Sequence, residues 1–311
     1  MSFTVNLKQE VAYNDLKPCC AKAELSALIQ LCSSLTISNR NLVIVIQTEN
    51  PTTAKRIFKL IKNFYDIETE LSVIKKAKLN KNHIYILKIL NKAKQILTDL
   101  GIYGNNGLSE YPSYDIVSKK CCARAYLAGA FMATGSCNSP VKSNYHLEIA
   151  TTTKAHAEFL VRLMARFDLP AKVILRRKKY VVYIKSAEKI ADFLRCIGAQ
   201  QGLLEFENIR INRDFKNSLT RLDNCDLANE MKSLKASSLQ VEDINKIINA
   251  NLFETLNQRL KDVAKLRLEY SEYSLKELCK VYESVYGNSI SKSGLKHRFV
   301  KIHEIAERIS E

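Results

Sequence analysis

Lys292, Ser293, Lys296, His297 and Arg298 crowd the start of an amphipathic segment near the end of the chain. Ser291 precedes them, Lys301 follows, and the next acidic residue is Glu304. On one helical face, such ammonium, guanidinium, imidazole and hydroxyl groups donate to phosphate oxygens and to base edges in a major groove. They are the candidate contacts to double-stranded DNA, within a segment from Ser274 to Arg308, with Lys296 and Arg298 as the leading pair. Two further basic clusters, Lys75, Lys76, Lys78 and Lys81, and Arg176, Arg177, Lys178 and Lys179, are candidate phosphate contacts, each releasing counterions on binding. The second cluster interrupts two strand-like runs, Lys172 to Leu175 and Tyr180 to Ile184, and is expected at the tip of a hairpin. An ordinary solvated turn accounts for the same residues.

Catalytic chemistry finds less support. The five histidines, His83, His146, His156, His297 and His303, are scattered, and no His–Cys group has zinc-ligand spacing. Nine glycines are spread thinly and form no phosphate-binding loop string. Nine cysteines, an odd number without C-x-x-C spacing, read as reduced, small buried side chains. Adjacent Cys19-Cys20 and Cys121-Cys122 invite a redox or metal reading, but small residues repeated at a helix start are ordinarily packing residues. Neither cofactor nor metal is expected.

The cationic segment needs helices to present it. NQRLKDVAKLRLEY (257–270), SLKELCKVYESVY (274–286) and SKSGLKHRFVKIHEIAERI (291–309) read as three successive helices. Ser274 and Ser291 are expected N-caps, and Glu277 completes a capping box with Ser274. Leu295, Phe299, Ile302 and Ile305 would face a core while the basic residues face outward. The pattern is that of a helix-turn-helix, with Glu283 to Asn288 suggesting a turn longer than a minimal one.

Upstream, the chain repeats itself. CCAKAELSALIQLCSSL (19–35) recurs 102 residues later as CCARAYLAGAFMATGSC (121–137). Each copy is followed by an alternating run (Asn41 to Thr48; Tyr145 to Thr152), a helical run (Thr53 to Tyr65; His156 to Phe167) and further strand-like segments. In the second copy Ala125, Gly129 and Ala133 make a stripe of small side chains along which a partner helix can approach, and Ala23 and Ala27 match it in the first.

LAGAFMATG (127–135) resembles a degenerate LAGLIDADG motif, whose family packs two such helices at a pseudo-twofold axis and presents a saddle-shaped sheet to DNA. RAYLAGAFMATGS followed by YHLEIAT, NCDLAN at 224–229, SLKEL and SISKSGLKHR resembles the WhiA family from end to end. The resemblance implies an α+β fold: two pseudo-symmetric LAGLIDADG-like helix/strand repeats forming a saddle sheet, then an all-α helix-turn-helix domain. The expected divisions are 1–212 (repeats about 15–100 and 117–200), a linker with connecting helices at 213–252, and 253–311. Gly104 to Pro112 reads as an irregular linker between the repeats. It also implies a bacterial transcription regulator tied to cell division, chromosome segregation or sporulation, with RNA polymerase or another transcription regulator as protein partner.

In active members of the LAGLIDADG family, acidic residues ending each motif helix bind the divalent metals that generate the nucleophile. Here those positions are Gln30 and Cys32 in the first copy and Met132 and Thr134 in the second. No Asp or Glu occurs between Leu25 and Leu35 or between Leu127 and Leu147, so no catalytic residue and no nuclease activity are expected. Glu24, one residue before the core of the first motif, reads as a helix-surface carboxylate.

The bulk properties agree with a nucleic-acid partner. The chain has 48 Lys and Arg against 32 Asp and Glu, a formal charge of +16, which attracts a polyanion. Residues 1–212 hold 31 basic and 17 acidic residues, net +14, leaving +2 for 213–311, so the attraction resides mainly in the repeats. No run of 18 or more apolar residues appears and the start lacks the apolar core of a signal peptide, so no membrane insertion is expected and the protein is placed in the cytoplasm, at the nucleoid. The competing reading is a protein-interaction scaffold for division or segregation machinery that binds DNA only nonspecifically.

Overall fold

A computed structural model describes residues 2–38, 41–75, 83–142 and 144–309. The chain divides into two compact units, Met1–Arg213 and Asp214–Glu311.

In the first unit α1 (Phe3–Ala12) and α2 (Pro18–Cys32) lead into β1 (Ser33–Ser38), β2 (Asn41–Thr48), α3 (Pro51–Phe64), β3 (Thr69–Lys75), β4 (His83–Ile89) and α4 (Ala93–Asp99). A short ribbon of β5 (Tyr103–Gly104) and β6 (Gly107–Leu108), then α5 (Tyr114–Val117), crosses to the second copy. The segment expected to be irregular is thus partly an antiparallel ribbon, with Gly107 supplying a left-handed turn position at φ 91°. The second copy runs α6 (Lys120–Thr134), β7 (Gly135–Cys137), β8 (Leu147–Thr151), α7 (Lys154–Ala165), β9 (Lys172–Arg176), β10 (Lys179–Ile184) and α8 (Ala187–Cys196).

Local chemistry sets these boundaries. Pro51 opens α3 behind an Asn50 cap whose side chain accepts from the amides of Thr52 and Thr53, and Thr153 caps α7 by accepting from His156. The repeat shows most clearly in the sheets, ordered β1-β2-β4-β3 and β7-β8-β10-β9 with every neighbouring pair antiparallel.

The motif helices α2 and α6 form the most extensive helix pairing in the molecule. A Cβ on Gly129 would lie 2.5 Å from the Glu24 carbonyl oxygen and 3.0 Å from the Ala27 Cβ, so this approach requires glycine. Glu24 is a correction to the sequence expectation: it is 1 % exposed, on the face of α2 that meets α3, and the Arg56 Nε donates to it at 2.5 Å. The cysteine expectation also needs correcting, because Cys19, Cys121 and Cys225 are exposed.

A long helix, α9 (Gln200–Asn249), begins in the first unit and continues into the second, so residues 213–249 form one helix rather than a linker with several. In the second unit α10 (Gln258–Glu269), α11 (Leu275–Tyr286) and α12 (Lys292–Ile309) follow a 3-10 turn at Phe253–Thr255. Their core joins Ile244 and Ile247 of α9 to Leu260, Val263, Leu278, Tyr282, Leu295, Phe299, Ile302 and Ala306. The Ser274–Glu277 capping box is complete, and Gly287, at φ 69°, ends α11. Glu283 to Tyr286 therefore belong to α11, and the turn before α12 spans 287–291.

Candidate nucleic-acid interface

Ser291 starts α12 by accepting from the Gly294 amide at 3.1 Å, and its hydroxyl lies 3.0 Å from that of Ser293. Leu295, Phe299, Ile302 and Ala306 are buried, which turns Lys292, Ser293, Lys296, His297, Val300 and Lys301 together onto the exposed face. Spacings of three and four residues make one stripe of them. The stripe carries three lysines before the first carboxylate, Glu304, and such a surface fits a polyanion groove.

Arg298 departs from this pattern. Its guanidinium turns back onto the unit, donating to the Tyr282 hydroxyl at 3.0 Å and the Arg259 carbonyl at 3.4 Å, with the Tyr282 ring 5.2 Å away. The reason is register: Arg298 flanks buried Phe299 and meets α11 rather than solvent.

Sequence reasoning missed the residue that braces α12 from behind. Arg267 is 2 % exposed, donates to the Gln240 side chain at 2.9 Å and to the Tyr273 carbonyl at 2.6 Å, and packs over Phe299 at 5.3 Å. Burial pulls its guanidinium down to about 10, which leaves it charged at neutral pH. Only its position as a basic residue within an otherwise apolar helix stripe signalled it.

In the first unit the second basic cluster does form a hairpin tip. Arg176 pairs with Lys179 across β9 and β10, and Arg177 and Lys178 make the two-residue turn at φ 50° and 63°. By register Lys172, Arg176, Lys179 and Tyr183 share the sheet face opposite buried Val182 and Ile184. Glu148 on β8 lies 3.9 Å from Arg176 and moderates its charge. Lys75 ends β3 opposite His83, whereas Lys76, Lys78 and Lys81 lie outside the described residues.

The C-terminal ends of α2 and α6 carry no carboxylate at the four motif positions. The Gln30 amide donates to the Ser109 and Glu110 carbonyls, the Thr134 hydroxyl donates to Ala150 at 2.7 Å, Met132 is fully buried, and burial pushes the Cys32 thiol up to about 12. Lys8, half-buried on α1, interacts with Cys32, and burial pulls its ammonium down to about 8. Lys8 and Lys179 line one cleft of about 700 Å³ with Thr134, Gln47 and Glu49. Nothing in the local pattern of α1 marked Lys8 in advance.

Three family descriptions match the chain: "WhiA N-terminal LAGLIDADG-like domain" at residues 18–103, "WhiA LAGLIDADG-like domain" at 123–216 and "WhiA C-terminal HTH domain" at 219–306. A protein of Bacillus licheniformis named "Probable cell division protein WhiA" is 47 % identical over 310 residues, covering 99 % of this chain and 97 % of the relative. A namesake from Bacillus pumilus is equally similar over the same shares. The crystal structure of full-length DUF199/WhiA from Thermatoga maritima has the same fold, with a TM-score of 0.60 at 24 % identity over 99 % of each chain.

Proposed function

The chain belongs to the WhiA family, and from that premise we propose that it is a non-enzymatic, sequence-specific DNA-binding transcription regulator acting in cell division. The observation that carries this reading is the outward face of α12, where Lys292, Ser293, Lys296, His297 and Lys301 stand together, capped by Ser291 and braced through Phe299 by buried Arg267. A helix with its basic residues in the first turns and its acids at the far end suits insertion into a major groove by its N-terminal part. Lys296 is the leading base contact, and Arg298 positions the helix through Tyr282. The hairpin at Arg176–Lys179, with Lys75 and Lys8, adds phosphate contacts that hold any duplex. Among the described residues no helix is long and apolar enough to cross a membrane, in keeping with a role at the nucleoid.

Selection of bound duplexes from a random pool tests the reading. A reproducible sequence motif is expected, and Lys296→Ala should weaken binding to it by about 1–3 kcal/mol while leaving the thermal midpoint unchanged. Recovery of no motif would sink it.

One feature favours the scaffold reading. Phe215, Leu219, Leu222, Leu227, Met231 and Leu234 are exposed along α9, apolar surface suited to a protein partner from the division or segregation machinery. Crosslinking across the genome separates the two readings, because a scaffold enriches no sequence.

A further inference from the structure

Cys19 and Cys20 occupy the second and third positions of α2, and Cys121 and Cys122 the same positions of α6. Because the two helices pack against each other, all four Sγ atoms lie within 4.8 Å of one another. Within each adjacent pair the sulfurs are 4.0 Å apart. A tetrahedral tetrathiolate with Zn–S bonds of about 2.3 Å places its sulfurs about 3.8 Å from one another, so the widest pair has to close by only about 1 Å.

Packing alone does not account for this group. A purely space-filling role would bury all four side chains, yet Cys19 and Cys121 are exposed while Cys20 and Cys122 are buried. The arrangement gives an ion a route from solvent and a dry backing. A disulfide fits less well, since any pair would have to contract to about 2.05 Å and an oxidant would be required.

The helix starts and nearby cations also favour bound thiolate. Both pairs sit in the first turn of a helix, where free amides and the helix dipole stabilise negative charge. A zinc tetrathiolate carries two negative charges. Lys17 and Lys119, the cap residues of the two helices, flank it in sequence, and Arg124 lines the same cleft as Cys20 and Cys121.

We propose that Cys19, Cys20, Cys121 and Cys122 form a structural site for one soft divalent cation, zinc, that clamps the N-terminal ends of the two motif helices. On binding, four Zn–S bonds form, the remaining S–H protons pass to solvent, and no electron changes hands. The site takes two ligands from each repeat, so the metal ties together halves whose cysteines are 102 residues apart. It lies at the end of the helix pair opposite Gln30, Cys32, Met132 and Thr134.

The test uses the full-length chain, reduced and stripped with a chelator, titrated with Co²⁺ and then Zn²⁺. One Co²⁺ per chain is expected, with the intense visible bands of tetrahedral thiolate coordination, bleached by one equivalent of Zn²⁺. The thermal midpoint should rise on metal addition. Cys19→Ser with Cys121→Ser, two exposed positions that spare the core, should abolish the bands and the rise, while Cys225→Ser should keep both. Absence of the bands in the unaltered chain overturns the proposal. So does metal bound equally well by the double variant, or a disulfide between the motif helices in chain that takes up no metal.

Discussion

Burial pushes the Glu24 carboxyl up to about 7 even though the Arg56 guanidinium 2.5 Å away pulls against it. With side chains 1 % and 7 % exposed, neither partner can recover water if the other is lost. Arg56→Met should therefore cost about 3–5 kcal/mol in denaturant unfolding, and adding Glu24→Gln should recover most of it, since the penalty comes from the orphaned charge. His156 behaves differently. It is 2 % exposed, shares a 2.9 Å hydrogen bond with the Tyr126 hydroxyl, and burial pulls its imidazole down to about 4. The unfolded chain takes a proton near 6.5 and the folded chain does not, so its stability is complete above that pH and declines as pH falls toward 4. The loss amounts to about 3 kcal/mol at about 1.4 kcal/mol per pKa unit. Melts between pH 7 and pH 4 should show a flatter decline for His156→Gln, and identical slopes would remove His156 as the cause.

At the scale of elements, the β9–β10 turn trades stability for charge. Two-residue hairpin turns with both residues left-handed favour Asn-Gly, yet Arg177 and Lys178 fill them here. Replacing them, Arg177→Asn with Lys178→Gly, should raise the unfolding free energy by about 1–2 kcal/mol by relieving left-handed backbone strain. The same change should lower the salt dependence of DNA binding by up to about 1.8 in the log–log slope if both cations reach phosphates. A stabler protein with an unaltered slope would show that the tip does not touch DNA. The starts of the helix-turn-helix elements were legible almost to the residue, because Ser274 and Ser291 are local capping signals acting within one turn. Arg298 was not legible in this way. Whether a side chain beside Phe299 points to solvent or to Tyr282 depends on where α11 lies, which no spacing within α12 encodes.

At the scale of the whole molecule, most of the net charge and the basic stripe of α12 fall in different units. Residues 1–212 carry net +14 and 213–311 net +2, while the polar face of α12 lies in the second unit. Neutralising the hairpin should weaken binding to specific and scrambled duplexes alike. Lys296→Ala should instead narrow the difference between them by about 1–3 kcal/mol, measured as paired dissociation constants at one salt concentration. With Gln30, Cys32, Met132 and Thr134 at the motif ends, incubation with Mg²⁺ or Mn²⁺ and a bound duplex should yield no cut strands on a denaturing gel. Reproducible cutting would overturn the non-enzymatic reading.

The sequence by itself determined what is local: the doubled helix–strand pattern, the helix caps, the missing acids and the bias of charge toward the repeats. These depend on neighbours within a few residues or on simple counts, so periodicity and composition suffice to read them. The tertiary structure alone decided that Glu24 lies buried against Arg56, that Lys8 and Thr134 line one cleft, and that four thiols from distant segments meet. Each follows from how closely α2 and α6 approach and which faces they turn to α1 and α3. The small-residue stripe of α6 marked where a helix could approach, but which side chains that approach brings together depends on packing between elements far apart in the chain.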